Sequence, residues 1–424
     1  MRLRVVLLLI LGLCAAPLRA DFQVGVAKTV ITPDPLLPII GGVGPASPPV
    51  GKQGELYARA MVLQQGDVRV AFVQLDLLGF PSVLGARVHQ QVPRIKAENI
   101  LIGSTHTHSA PDCYAFPGLD GKSNADLRYI DFVCDQAAAA INQALDKLQA
   151  AHLKIATGEA RGKIAYNYYA PELFDPRMSV IQAVSPAGEV IGTLVNYAIH
   201  PEVLGSRLGL VSPDLVGPLC DQLEADFGGM GMFINGAQGG MVTADNRILD
   251  QIADPLKATW RDARTWEECL RIGRLMASEA KRIVADAPVQ QDPALACYAR
   301  DVKFPVDSDM MWAIVRTSPL KYPHNDDQSI TTRINLVNLG DAQILTIPGE
   351  ALPNIGFFLK RRMKGEHNLL FGLTNDAFGY ILTRVDFNSF QRYEYITRTS
   401  LGEMTGEILL DNALQMIDEA PAPK

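Results

Sequence analysis

Residues Asn99–Cys113 read NILIGSTHTHSAPDC, and the order of elements in the rest of the chain follows from how this stretch is understood. Ile100-Leu101-Ile102-Gly103 is a short, β-branched apolar run, and Pro111 closes the polar segment after it. A buried strand that empties into a loop fits both features. His106 and His108 stand at i and i+2 just past that strand. On an extended backbone such side chains share one face. Two imidazoles at a strand end make half of a metal or acid/base site; the plainer alternative is a pair of loop histidines bonded to backbone.

Working outward, strands and helices interleave. Phe22–Ile31 alternates as an edge strand, and Leu56–Gln64 with Val68–Leu77 reads as a hairpin closed by Gln65-Gly66-Asp67. The Pro- and Gly-rich segment Pro35–Gly54 between them reads as a surface loop or lid. A short helix is predicted over Val83–Gln91 and a long one over Asn124–Ala150, where apolar residues recur at three- and four-residue intervals. Strands follow at Leu153–Gly158, Met178–Val184, Val190–Ile199 and Gly231–Asn235, the last emptying into the glycine-rich loop Gly236–Gly240. Pro218–Phe227 is a helix with its proline in the first turn, and Arg261–Asp286 is a second long helix. Ala294–Pro305, Ser329–Leu339, Gln343–Ile347 and Leu369–Leu373 return to strand, with helices at Pro353–Met363 and Thr399–Ile417. The class is α/β (α+β), with mixed sheets and flanking helices. No internal repeat and no long polar linker is visible, so residues 21–424 are expected to form one large domain.

Residues 1–20 read as a secretory signal: Arg2 and Arg4, the apolar run Val5–Leu13, and the small Ala20. The run is too short for a membrane span, so the protein is expected to be periplasmic or secreted, with peripheral membrane contact at most. The whole chain carries a formal charge of −7, and the signal would take away arginines and no acids. With no basic run, nucleic acid is not an expected partner. Five cysteines remain past the signal (Cys113, Cys134, Cys220, Cys269 and Cys297), an odd number in no zinc-ribbon spacing.

Three more strand ends repeat the device of His106. His200 follows Val190–Ile199 and is stopped by Pro201; Glu350 follows Ile344–Ile347 and the turn Pro348-Gly349; Tyr380 follows Leu369–Leu373 and Gly379. Ligands at strand ends of a mixed sheet system can converge on a point. Two imidazoles, a carboxylate and a further oxygen suit Zn²⁺ with a position left for water. His89, His152, His324 and His367 fall in surface helix or polar loop and read as structural.

These same residues carry a resemblance to the catalytic domain of the neutral ceramidase family, zinc-dependent amidases that cut the N-acyl bond of ceramide. Thr105–Pro111 (THTHSAP) is similar to that family's T-H-T-H-S-G-P run, His200-Pro201 to its H-P, Pro348-Gly349-Glu350 to its P-G-E, and Tyr380–Thr383 to its Y-I-T-T. The resemblance implies that His106, His200, Glu350 and Tyr380 bind zinc and that His108 faces the substrate. Through Ala160–Tyr166 it gives Arg161 a substrate contact. Through Gln391–Glu394 it gives Tyr393 the developing oxyanion, although one extra residue separates it from Tyr380. The family's G-D-V-S-P-N run is replaced by Gly239–Asn246 (GGMVTADN), so an acyl-serine mechanism has no support here and a zinc-water mechanism is untouched. No counterpart of the immunoglobulin-like domain that follows in ceramidases is expected within residues 21–424.

The expected activity is therefore zinc-dependent hydrolysis of an N-acyl amide with a lipid-like acyl part, with Glu350 one candidate for giving the proton to the leaving amine. Two alternatives stand beside it: the same metal chemistry on another acyl amide, lactone or lipid ester, and an exported lipid- or ligand-binding protein that keeps the fold without turnover.

Overall fold

The computed structural model describes residues 22–117, 123, 125–249 and 259–424; the signal expected over residues 1–20 lies outside them. Three sheets carry the fold, and the chain builds each by the same path. In the first, Gln23–Val30, Tyr57–Gln65 and Val68–Leu75 run antiparallel in that order. The helix Ser82–Gln90 then crosses over, Ile100–Ser104 enters parallel to Val68–Leu75, and the long helix Leu127–Asp146 packs behind. The second sheet repeats this with His152–Glu159, Arg177–Val184 and Val190–Tyr197, the helix Val216–Phe227, the parallel strand Met230–Asn235 and the helix Trp266–Val284. The third uses Leu295–Pro305, Ser329–Leu339 and Ala342–Thr346, the helix Pro353–Arg362, the parallel strand His367–Phe371 and the helix Thr405–Glu419. In all three the crossover helix touches the long helix that follows it.

The class is α/β with mixed sheets, as expected, but the expectation of no internal repeat is corrected. The repeat is one of topology. Burial on a strand or helix face asks only for an apolar side chain of about the right size, so the threefold path survives without recurring residues. The inner faces of the three sheets meet in one core that includes Phe72, Met232, Ile344 and Phe371, with Phe72 edge-on to Phe371 at 5.2 Å. Their outer faces bury against their own helices. Strands covered on both faces lose the polar alternation of a half-exposed sheet, which is why Val68–Leu75 and Met230–Asn235 are so apolar.

One helix boundary and one added helix differ from expectation, each with a side-chain cap. The second long helix begins at Trp266, not Arg261, because the Thr265 side chain accepts from the Glu268 N–H and Trp260–Asp262 is diverted into a strand beside Arg247–Leu249. Asp309–Thr317 is a further helix, capped by Ser308, whose Met311, Ile314 and Val315 are buried. The five cysteines among the described residues are free.

Where Val68–Leu75 ends, Asp76 is fully buried and paired with the buried Arg59 (Nη1 to Oδ2, 3.0 Å). The Tyr57 N–H and Gln74 Nε2 also donate to it, and Gln74 Oε1 accepts from the Phe233 N–H, fastening the first sheet to the second. Burial lifts the Asp76 carboxyl above its ordinary range even though Arg59 opposes this. Arg59→Met leaves that carboxylate unpaired in the core, and urea titration should find about 3–5 kcal/mol less stability. A second substitution, Asp76→Leu, should recover part of the loss.

Candidate metal centre

Each side chain expected at the centre sits just beyond a strand of a parallel pair. His106 follows Ile100–Ser104 of the first sheet, and His200 follows Val190–Tyr197 of the second. In the third sheet Glu350 follows Ala342–Thr346, and Tyr380 follows His367–Phe371 across from it. Short backbone contacts pin these ends together. The His108 N–H donates to the Pro201 carbonyl, His200 N–H to Val242, Glu350 N–H to Gly379 and Leu373 N–H to Gly349. Gly239 is required where its loop passes Glu350, since a Cβ there would lie 2.1 Å from the Glu350 carbonyl oxygen.

The extended backbone assumed for the two histidines is not what places them. His106 has φ +71°, a left-handed conformation that a non-glycine residue adopts at a cost of order 1–3 kcal/mol. The turn still puts both rings in one cavity wall, edge to face with centroids 4.9 Å apart. The two presumed ligands are oriented alike. His106 Nδ1 bonds the Leu78 carbonyl at 2.6 Å and His200 Nδ1 the Val242 carbonyl at 2.8 Å, which turns both Nε2 atoms inward. A histidine held in this way through one nitrogen offers the other to a metal.

Both Nε2 atoms face Glu350 Oε2, at 3.4 Å from His106 and 3.1 Å from His200. Atoms bound at 2.0–2.2 Å to a tetrahedral ion lie about 3.3–3.6 Å apart, so the trio has the spacing of a ligand set. Burial disfavours the Glu350 carboxylate, yet His106 and His200 outweigh it and hold its pKa well below the usual range. Burial likewise opposes the His200 cation, but the hydrogen bond and charge of Glu350 raise its pKa overall. His106, His108 and His200 also form a group close enough to share an ion. His108 differs in orientation: its Nδ1 faces Glu202 Oε2 at 3.6 Å, and its Nε2 is buried with no hydrogen-bond partner among the described residues. Burial keeps it neutral, with its pKa lowered to about 3.

The remaining expected residues divide. Tyr380 is buried opposite Glu350 in a two-stranded pair, and burial and the Glu350 charge push its phenol well up. Its hydroxyl donates to Met241 Sδ at 3.4 Å. Tyr393 packs against Tyr169 and Phe390 and is not part of the cavity wall that holds the histidines. Tyr395, two residues on, lines that wall with its ring 6.0 Å from Tyr380, and its pKa is raised to about 12 by burial and by Glu350. Arg161 is exposed, its backbone N–H bonded to Glu279, and it lines no cavity near the centre. Glu202 is the residue that sequence reading passed over. It stands two positions after His200, the same spacing as His106 and His108, and Thr243 Oγ1 donates to its Oε1 at 2.6 Å.

The cavity in front of the centre, with the open solvent at its mouth, spans about 940 Å³. His106, His108, Glu350, Tyr380 and Tyr395 form one end, and Met311, Ile314, Val315, Phe378 and Leu401 an apolar side. Gly41, Gly42 and Val43 of the segment Pro35–Gly54, expected as a surface loop or lid, also line it. Nearby, Ile39–Ile40 pairs with Ala110–Pro111 and ties that loop to the histidine turn.

Residues 22–244 match the family described as neutral/alkaline non-lysosomal ceramidase, N-terminal. The neutral ceramidase of Pseudomonas aeruginosa is 26% identical over 227 residues, which are 47% of this chain and 34% of that protein, so the match spans about a third of the relative. A crystal structure of neutral ceramidase from Pseudomonas aeruginosa superposes on 96% of this chain and 77% of its own, with TM-score 0.72 and 18% identity. A ceramidase complexed with C2 gives 96%, 76%, 0.73 and 18%. At such identity the likeness to solved structures is one of fold.

Metal analysis of the purified chain at equilibrium with a divalent ion tests the ligand set. His106→Ala, His200→Ala and Glu350→Gln should each weaken retention by more than the 10–100-fold typical of losing a group behind a ligand. Arg161→Ala and Tyr393→Phe should retain the ion.

Proposed function

The chain belongs to the neutral/alkaline non-lysosomal ceramidase family, and from that premise we propose that it is an exported, zinc-dependent hydrolase of an N-acyl amide. The observation that carries the proposal is the convergence of His106 and His200 Nε2 on Glu350 Oε2, with His106 and Glu350 in the wall of a largely apolar cavity. Nitrogen and oxygen ligands of this kind suit zinc. His106, His200, Glu350 and Tyr380 would hold it, and a zinc ion so held lowers the pKa of bound water to roughly 7 and polarises an acyl carbonyl.

The chain's own groups do the rest. The apolar side around Met311, Ile314 and Phe378 takes the acyl chain out of water. His108, neutral and with Nδ1 turned to Glu202, presents Nε2 as an acceptor for a substrate N–H or O–H. Tyr395 supplies a phenol O–H at the wall beside Glu350, the place that the family resemblance assigns to Tyr393. A donor aimed at a developing oxyanion in a water-poor site stabilises the transition state more than the ground state. Glu350, one candidate from the sequence for giving the leaving amine its proton, is held ionised by His106 and His200 and is suited to the metal before the proton. Residues 1–20 support export to the periplasm or beyond, and residues 21–424 are read as one catalytic domain.

Hydrolysis of N-dodecanoyl amides by the purified protein should stop on chelation and return with zinc. Activity that persists in chelator contradicts the proposal. Tyr395→Phe should lower kcat/KM on the order of 10²-fold, as removal of one oxyanion donor does. Tyr393→Phe should change it by no more than about twofold.

A further inference from the structure

A second hollow adjoins the centre, and we propose that it receives the amine half of the substrate, so that this half is compact and polar and not a second alkyl chain. The inference rests on the amide-hydrolase reading above and narrows its substrate class. The hollow, about 680 Å³, is lined by Glu202, Met241, Thr243, Asn246, Asp262 and Arg264 among others. Two side-chain pairs separate it from the apolar cavity, each with one member on either side: His108 facing Glu202, and the Tyr380 hydroxyl on Met241 Sδ. The partition therefore stands at the metal centre itself, where the scissile bond has to lie.

The two sides differ in chemistry. The cavity beyond His108 offers methionine, isoleucine, valine and phenylalanine side chains. The hollow beyond Glu202 offers carboxylates, a guanidinium, an amide and a hydroxyl beside Met241 and the phenols of Tyr166 and Tyr168, with Arg264 Nη2 paired to Asp262 Oδ2 at 3.0 Å. An alkyl chain laid there would strip water from these groups and give them no hydrogen bond in return, which is costly. A short amine half bearing hydroxyl or ammonium donors meets acceptors instead. Glu202 is held for that task. Thr243 occupies its Oε1, the backbone carbonyl of Glu202 accepts from Arg264 Nη1, and its Oε2 is directed toward His108. Both Met241 and Thr243 lie in the stretch Gly239–Asn246 where this chain leaves its family's glycine-aspartate-serine-proline pattern.

Calorimetric titration of the zinc-loaded full chain with hydrolysis-resistant ureas tests the assignment. N-dodecyl-N′-(2-hydroxyethyl)urea should bind at least about tenfold more tightly than N-dodecyl-N′-octylurea, because a site built to hydrogen-bond discriminates against an analogue that cannot. Glu202→Leu and Arg264→Ala should each reduce that preference. Equal or tighter binding of the two-tailed urea overturns the inference, as does a preference that survives in both variants. The broader reading fails separately: a retained preference with no turnover of N-dodecanoylethanolamine would support the subsite and contradict amide hydrolysis.

Discussion

Two imidazole nitrogens face a single carboxylate oxygen, His106 at 3.4 Å and His200 at 3.1 Å from Glu350 Oε2, and the three side chains come from three different sheets. All three are buried. A carboxylate stripped of water and left without cationic or metallic partners is strongly disfavoured, so Glu350, buried where the three sheets meet, depends on the imidazoles beside it. The centre and the packing of the domain are in this sense one constraint.

The threefold path of the chain explains why the ends arrive together, and the residues at those ends explain why they act differently. Each sheet closes on a parallel pair, and the loops beyond such pairs gather on one side of the fold. The first sheet commits the carboxylate after its third strand, Asp76, to a buried pair with Arg59. The second and third place His200 and Glu350 just beyond the corresponding strands, where they meet His106 from the first sheet's parallel strand. One topological position thus serves stability in one repeat and chemistry in the other two. The left-handed turn at His106 is the local strain that lets its ring reach the other two.

Much of this was legible in the chain. Buried strands announce themselves by apolar runs that stop at proline or glycine, and His106, His200, Glu350 and Tyr380 each stand directly after one. What could not be read was anything set by the approach of distant segments. Arg161 carries the family's motif but its backbone is bonded to Glu279 on the second long helix, and no local pattern reveals that. Tyr393 stands one residue further from Tyr380 than the family's motif has it, and here Tyr395 lines the cavity while Tyr393 packs on Tyr169. Glu202 had a signal, its i+2 spacing from His200, but spacing alone gives no sign that Thr243 and His108 lie beside it. The repeat itself is invisible because burial patterns conserve a face and not a residue.

The most direct test of the central claim is anomalous diffraction at the zinc edge from crystals of the zinc-loaded protein. A single peak within bonding distance of His106 Nε2, His200 Nε2, Glu350 and the Tyr380 hydroxyl is the predicted result. A peak bound through His108 with Glu350 left uncoordinated, or no peak among these residues, would contradict the account.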